Sequence, residues 1–243
     1  MNLLKIMVIV LFSVTLCGTM EINHSSQYEE HDKRKLHEKE IDKVTLDNSS
    51  RNKVQIKVYY ESLCPGSINF LTNHLRPAVE ALAPYLDIHL VPYGHAKTRK
   101  IFGQYSFACQ HGPEECFGNR LHACAIDVLK NATQAVLFNA CLMQFSQYRG
   151  MPGFDYAIVV NWCNYKLQTR TEGIWTCVNG ERSSTLLKTY GEETRALKLR
   201  YVPYVIVGDS TDEQDRGGDL VSTICHKLDP APPPCEGWRR IYT

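Results

Sequence analysis

The four residues Cys64-Pro65-Gly66-Ser67 carry the most reactive chemistry in the sequence. They lie where a strand-like run gives way to helical spacing. A cysteine at the start of a helix meets unpaired backbone N–H groups and the positive end of the helix dipole, and both favour thiolate over thiol. The thiolate is the species that attacks a disulfide. A second cysteine three residues on would resolve the resulting mixed disulfide, but that position holds Ser67. A hydroxyl can hydrogen-bond to a thiolate; it cannot displace one. Cys64 is therefore a candidate nucleophile whose adducts an outside thiol must release. The competing reading is a single buried cysteine with no redox role.

The other cysteines point to cross-links. Ten are present, and Cys17 lies in a segment expected to be removed. Of the nine left, Cys109, Cys116, Cys124, Cys141, Cys163, Cys177, Cys225 and Cys235 make an even set, and Cys64 is the odd one out. Four disulfides are expected, and sequence alone does not choose their pairing. A zinc site at Cys109, His111, Cys116 and Cys124 competes with this. Their spacing lacks the paired C-x2-C pattern, and a secreted chain favours disulfides. No metal and no cofactor are expected. His111 reads as a packing or hydrogen-bonding residue rather than a proton donor.

The elements that must position Cys64 are legible as periodicities. Val54, Ile56, Val58 and Tyr60 alternate with Gln55, Lys57 and Tyr59, a strand pattern. Ile68, Leu71, Leu75, Val79 and Leu82 recur at helical spacing, with Pro77 as a kink or break. Asp87 to Tyr93 reads as a second strand, so 54–93 is a β-α-β unit. A basic stretch, His95, Lys97, Arg99 and Lys100, reads as a solvated loop. Helical patterning runs from Asn119 to Gln147, with a second helix from Ala135 to Phe145. Strand signal returns at Tyr201–Val207, and a short helix carries Leu220, Val221, Ile224 and Leu228. Pro203, just before that late strand, stands where proline is normally unwelcome.

The ends suggest a route. Lys5 precedes an apolar run from Ile6 to Leu16 and small residues follow, the layout of a signal peptide over 1–19. Residues 20–52 are a polar leader in which Lys33-Arg34-Lys35 is a solvated charge run or a processing site. The folded domain is expected over 53–229, with a proline-rich tail at 230–243. Asn23, Asn48 and Asn131 lie in glycosylation sequons. No run reaches membrane-spanning length. The net charge of +1, from 27 basic and 26 acidic residues, gives no reason to expect a nucleic-acid partner. The expected destination is outside the cell or the lysosome.

One segment is far more specific. Cys109-Gln-His-Gly-Pro-Glu-Glu-Cys-Phe-Gly-Asn-Arg-Leu-His-Ala-Cys124 resembles the signature C-Q-H-G-x-x-E-C-x-x-N-x-x-x-x-C of the gamma-interferon-inducible lysosomal thiol reductases. Cys109, Gln110, His111, Gly112, Glu115, Cys116, Asn119 and Cys124 fill its fixed positions. The flanks Val58–Cys64, Val91–Gly94 and Tyr201–Pro203 are similar too, and the likeness runs from Val54 to Cys235. The resemblance implies an α/β, thioredoxin-like fold with an inserted helical, disulfide-rich region over about 105–195. It implies reduction of protein disulfides in acidic compartments, with Cys64 as nucleophile. It also implies a cis-proline at Pro203 facing that cysteine, and a structural role for the signature cysteines. Ser67 departs from the family's C-x-x-C pair. Two functions follow: an interaction protein that binds disulfide-containing or other extracellular protein partners on a reductase scaffold, which Ser67 favours, or alternatively a monothiol oxidoreductase using Cys64.

Overall fold

The computed structural model describes residues 53–149, 154–209 and 219–236. Strand β1 (Val54–Tyr60) lies between β2 (Leu86–Pro92) and β5 (Tyr204–Val207). It pairs parallel with β2, from Val54↔Leu86 to Tyr60↔Pro92, and antiparallel with β5. Val54, Ile56 and Val58 are buried while Gln55 and Lys57 are exposed, which is the alternation of a pleated strand. At the end of β1, Tyr59 and Tyr60 are both buried. The sheet is thus covered on both faces where the chain leaves it for Cys64.

The crossover from β1 to β2 is α1 (Pro65–Phe70), a π-helical stretch (Leu71–Leu75) and α2 (Arg76–Leu82). The helical spacing passes straight through Pro77, which occupies the first turn of α2. Proline brings no N–H and crowds the preceding turn, and the widened π turn lies directly upstream of it. Leu71, Leu75, Val79 and Leu82 pack with Ile56, Val58 and Leu90 on one face of the sheet. On the other face Tyr59, Val91 and Tyr93 meet Ala123, Leu187 and Tyr190.

Between β2 and β5 the chain inserts a hairpin, β3 (Lys97–Ile101) and β4 (Gln104–Ala108), and then, among the described residues, five α-helices. These are α3 (Pro113–Leu129), α4 (Ala132–Gln144), α5 (Tyr156–Leu167), α6 (Ile174–Asn179) and α7 (Glu181–Leu197). A second core within the insert gathers Leu121, Phe138, Val160 and Ile174. Cys124–Cys177 and Cys141–Cys163 cross-link it. Cys109–Cys116 closes the start of α3. After β5, α8 (Leu220–Lys227) is tied to the turn at Pro233–Cys235 by Cys225–Cys235.

Several boundaries correct the sequence reading. The basic stretch expected as a loop is the hairpin; Lys97, Arg99 and Lys100 are exposed, so no apolar alternation marks the strands. Helix α3 starts at Pro113, well upstream of Asn119, with proline in its first turn beside Glu114 and Glu115. Asn131 caps α4 by accepting a hydrogen bond from Gln134 N–H at 3.0 Å, so this helix begins at Ala132 rather than Ala135. Strand β5 begins at Tyr204, beyond the cis Val202–Pro203 peptide. Residues 1–52 and 237–243, with the expected signal peptide, leader, Asn23 and Asn48, lie outside the described residues.

Candidate functional site

Cys64 is the N-cap residue of α1, with extended backbone (φ −67°, ψ 123°). It is partly buried and carries no disulfide; the other eight cysteines among the described residues are all paired. Its Sγ lies 3.7 Å from the carbonyl oxygen of Val202, to which the thiol donates. Pro65 and Gly66, next to it, are exposed. A Cβ on Gly66 would lie 3.3 Å from Pro203 Cδ, so the start of α1 and the loop before β5 are in close contact. The structure therefore brings Cys64 and Pro203 together, on two segments far apart in sequence.

Ser67 is one turn in from Cys64 and fully buried. Its Oγ accepts a hydrogen bond from Glu61 N–H at 3.3 Å. The hydroxyl in the resolving position is thus occupied in holding the chain upstream of Cys64.

That upstream segment is held mainly by the signature. Ser62 N–H donates to Asn119 Oδ1 at 2.9 Å, and Ser62 Oγ donates to the Glu115 carbonyl at 3.2 Å. A Cβ on Gly118 would come within 2.4 Å of Ser62 Oγ, so α3 reaches the loop only with glycine there. Glu61 is fully buried. Its Oε1 accepts from His95 N–H at 2.7 Å, and its Oε2 lies 3.4 Å from His111 Nδ1. Gly94 has φ +58°, and a Cβ there would fall 2.3 Å from Glu61 Cγ. His111 Nδ1 also meets Glu115 Oε2 at 2.5 Å, and His111 N–H donates to Glu115 Oε1 at 3.1 Å. Burial pushes the Glu61 carboxyl up to about 7 against the His95 hydrogen bond; Glu115 adds to the rise and His111 opposes it.

From sequence His111 reads as a packing or hydrogen-bonding residue, and the structure hydrogen-bonds it to Glu115; Glu61, Glu115 and Asn119 carry no role in that reading. A signal was available: His111, Glu115 and Asn119 recur every four residues, which places the latter two on one face of a helix. A zinc site built on Cys109, His111, Cys116 and Cys124 is excluded, because Cys109 and Cys116 form a disulfide and Cys124 pairs with Cys177. Asn131 is exposed at its helix cap.

A parallel β-α-β unit, an antiparallel third strand and a cysteine at the helix start against a cis-proline define a thioredoxin-like protein. The same fold appears in MdbA, a thiol-disulfide oxidoreductase from Actinomyces oris, with a TM-score of 0.52 at 14% identity, covering 75% of this chain and 84% of that one. A family profile described as gamma interferon inducible lysosomal thiol reductase (GILT) matches residues 55–156. GILT-like protein 1 of Drosophila melanogaster is 34% identical over 206 residues, covering 76% of this chain and 78% of that protein. The gamma-interferon-inducible lysosomal thiol reductase of Carassius auratus is 34% identical over 179 residues, covering 71% and 67%. This chain belongs to the GILT family.

Proposed function

We propose that this protein is a single-thiol disulfide-exchange protein of the secretory route. Cys64 captures disulfide-bearing proteins and an external thiol releases them. In the first step the Cys64 thiolate attacks one sulfur of a substrate disulfide. A Cys64–substrate disulfide forms, the substrate S–S bond breaks, and the other substrate sulfur leaves as a thiolate. In the second step a small-molecule thiolate attacks the mixed disulfide, regenerates Cys64 and leaves with the substrate sulfur as a new disulfide. Each step exchanges one disulfide for another, so electrons balance at both.

The observation that supports this most is the lone, partly exposed Cys64 at a helix start, in a chain whose other described cysteines are paired. The buried Ser67, hydrogen-bonded to Glu61 N–H, supports the dependence on an outside thiol. The same serine favours a second reading, a binding protein on a reductase scaffold with no turnover. The route is supported by the apolar N-terminal run, by the sequons including exposed Asn131, and by four disulfides that need an oxidising compartment. A lysosomal destination would match the name of the Carassius auratus relative.

The test is turnover of a denatured disulfide-bonded protein at acid and neutral pH, with and without a small thiol. Wild type should turn over only when the thiol is added, and Cys64→Ser should be inactive throughout. Turnover by Cys64→Ser equal to wild type would refute the exchange role. Partner capture that persisted in Cys64→Ser would support the binding reading instead.

A further inference from the structure

We infer that Glu61, His111 and Glu115 form a binding site for a divalent first-row cation, with zinc as its chemical type, clamping the end of β1 to the start of α3. Both carboxylates are fully buried and lie beside one imidazole. Each has one oxygen held by a main-chain donor: Glu61 Oε1 by His95 N–H, and Glu115 Oε1 by His111 N–H. The other two oxygens converge on the same atom, His111 Nδ1. Glu61 Oε2 is buried and has no hydrogen-bond partner, although its neighbours in the cluster are engaged. A fully buried carboxylate oxygen that makes no hydrogen bond and faces His111 Nδ1 at 3.4 Å is costly, and a coordinated cation removes that cost.

The donor set and spacing fit. One imidazole nitrogen and two carboxylate oxygens suit zinc and its first-row neighbours better than magnesium or calcium, which prefer oxygen alone. All three ligand atoms lie within 4.8 Å of one another. Ligands about 2.0–2.2 Å from a tetrahedral zinc stand roughly 3.4 Å apart. Glu61 Oε2 is already 3.4 Å from His111 Nδ1. Glu115 Oε2, at 2.5 Å, needs only to move back by less than about 1 Å. The hydrogen bonds to His95 and His111 N–H supply the outer shell that orients ligating carboxylates. The His111 side chain is 32% exposed, which gives the ion a way in and room for a water as fourth ligand. None of these three residues is a cysteine, so zinc binding can be read separately from exchange at Cys64, although Glu61 also holds the chain upstream of it.

The experiment is zinc titration of the untagged full-length chain at neutral pH, followed by calorimetry and metal analysis after dialysis. Wild type and Cys64→Ser should each retain one equivalent. Glu61→Gln and His111→Ala should each lose zinc affinity by more than ~100-fold, past what loss of an outer-shell partner produces. The absence of a stoichiometric site in wild type, or unchanged binding in both ligand variants, would overturn the proposal. If the variants do not fold, wild type decides alone. Cobalt(II) should broaden the NMR signals of the His111 ring and the His95 amide first; broadening confined to other histidines would equally overturn it.

Discussion

At the scale of single residues, the chemistry turns on which atom stands three positions after Cys64. Ser67 Oγ is buried and accepts Glu61 N–H, so no thiol is present to break a mixed disulfide from within. Pre-reduced Ser67→Cys should therefore release reduced substrate in a single round without added thiol, ending with its two active-site cysteines joined, where wild type stops at the mixed disulfide. That release should be ~10-fold faster or more, because a tethered thiol acts at an effective concentration of roughly millimolar or above. Insulin-type reduction assays on wild type and variant check this; equal rates would mean that another thiol resolves the adduct. Cys64 and Ser67 were legible in the sequence because reactivity resides in the residue type and its place at a helix start. Glu61 was not, since a glutamate in a strand pattern looks like any solvent-facing charge. Only the fold buries it against His111 and Glu115, which follow it by about fifty residues.

At the scale of elements, α3 holds the approach to Cys64 in place. Asn119 accepts the buried Ser62 N–H, so Asn119→Ala leaves that donor unpaired at a cost of about 1–3 kcal/mol. The loss should appear in thermal unfolding, together with faster alkylation of Cys64 as the loop loosens. Gly118→Ala should destabilise too, because its new methyl would fall on Ser62 Oγ. The insert depends on its cross-links. Replacing Cys124 and Cys177 by alanine opens a separation of 53 residues and should cost about 2–5 kcal/mol, read by denaturant unfolding. The strands and helices that bury apolar side chains were readable as period two or period 3.6: β1, β2, α4 and α8 lie within a few residues of their patterns. The β3–β4 hairpin left no such trace. Its side chains alternate only between exposed and half-exposed, so nothing in their polarity encodes the pairing. The pairing of the eight cysteines was also invisible, because it depends on how helices pack and not on spacing.

At the scale of the whole molecule, stability should depend on pH through one buried histidine. His122 lies in the interior, its Nδ1 3.1 Å from Tyr60 Oη, and burial pushes its imidazole down to about 3 from 6.5. Between those values the unfolded chain binds a proton that the folded chain refuses. The stability is complete above about pH 6.5, falls as pH drops through that window, and levels off below about 3. At pH 4.5 the loss is on the order of 3 kcal/mol. Glu61, raised from 4.5 to about 7, works in the opposite sense, favouring the fold at low pH and losing that benefit as pH rises. Comparing wild type with His122→Gln isolates the first effect, since Glu61 is common to both. Denaturation from pH 7 to pH 4 should show a shallower decline in the variant, and parallel curves would contradict the assignment.

The most direct measurement of the exchange role is peptide mapping, without reduction, of the protein after incubation with a disulfide-bonded protein in the absence of small thiols. A single mixed disulfide should be found at Cys64, with Cys109–Cys116, Cys124–Cys177, Cys141–Cys163 and Cys225–Cys235 intact. The adduct should disappear when a small thiol is added and should not form in Cys64→Ser. An unmodified Cys64 under conditions where other exposed thiols react, or an adduct on any other cysteine, would contradict the role assigned to it.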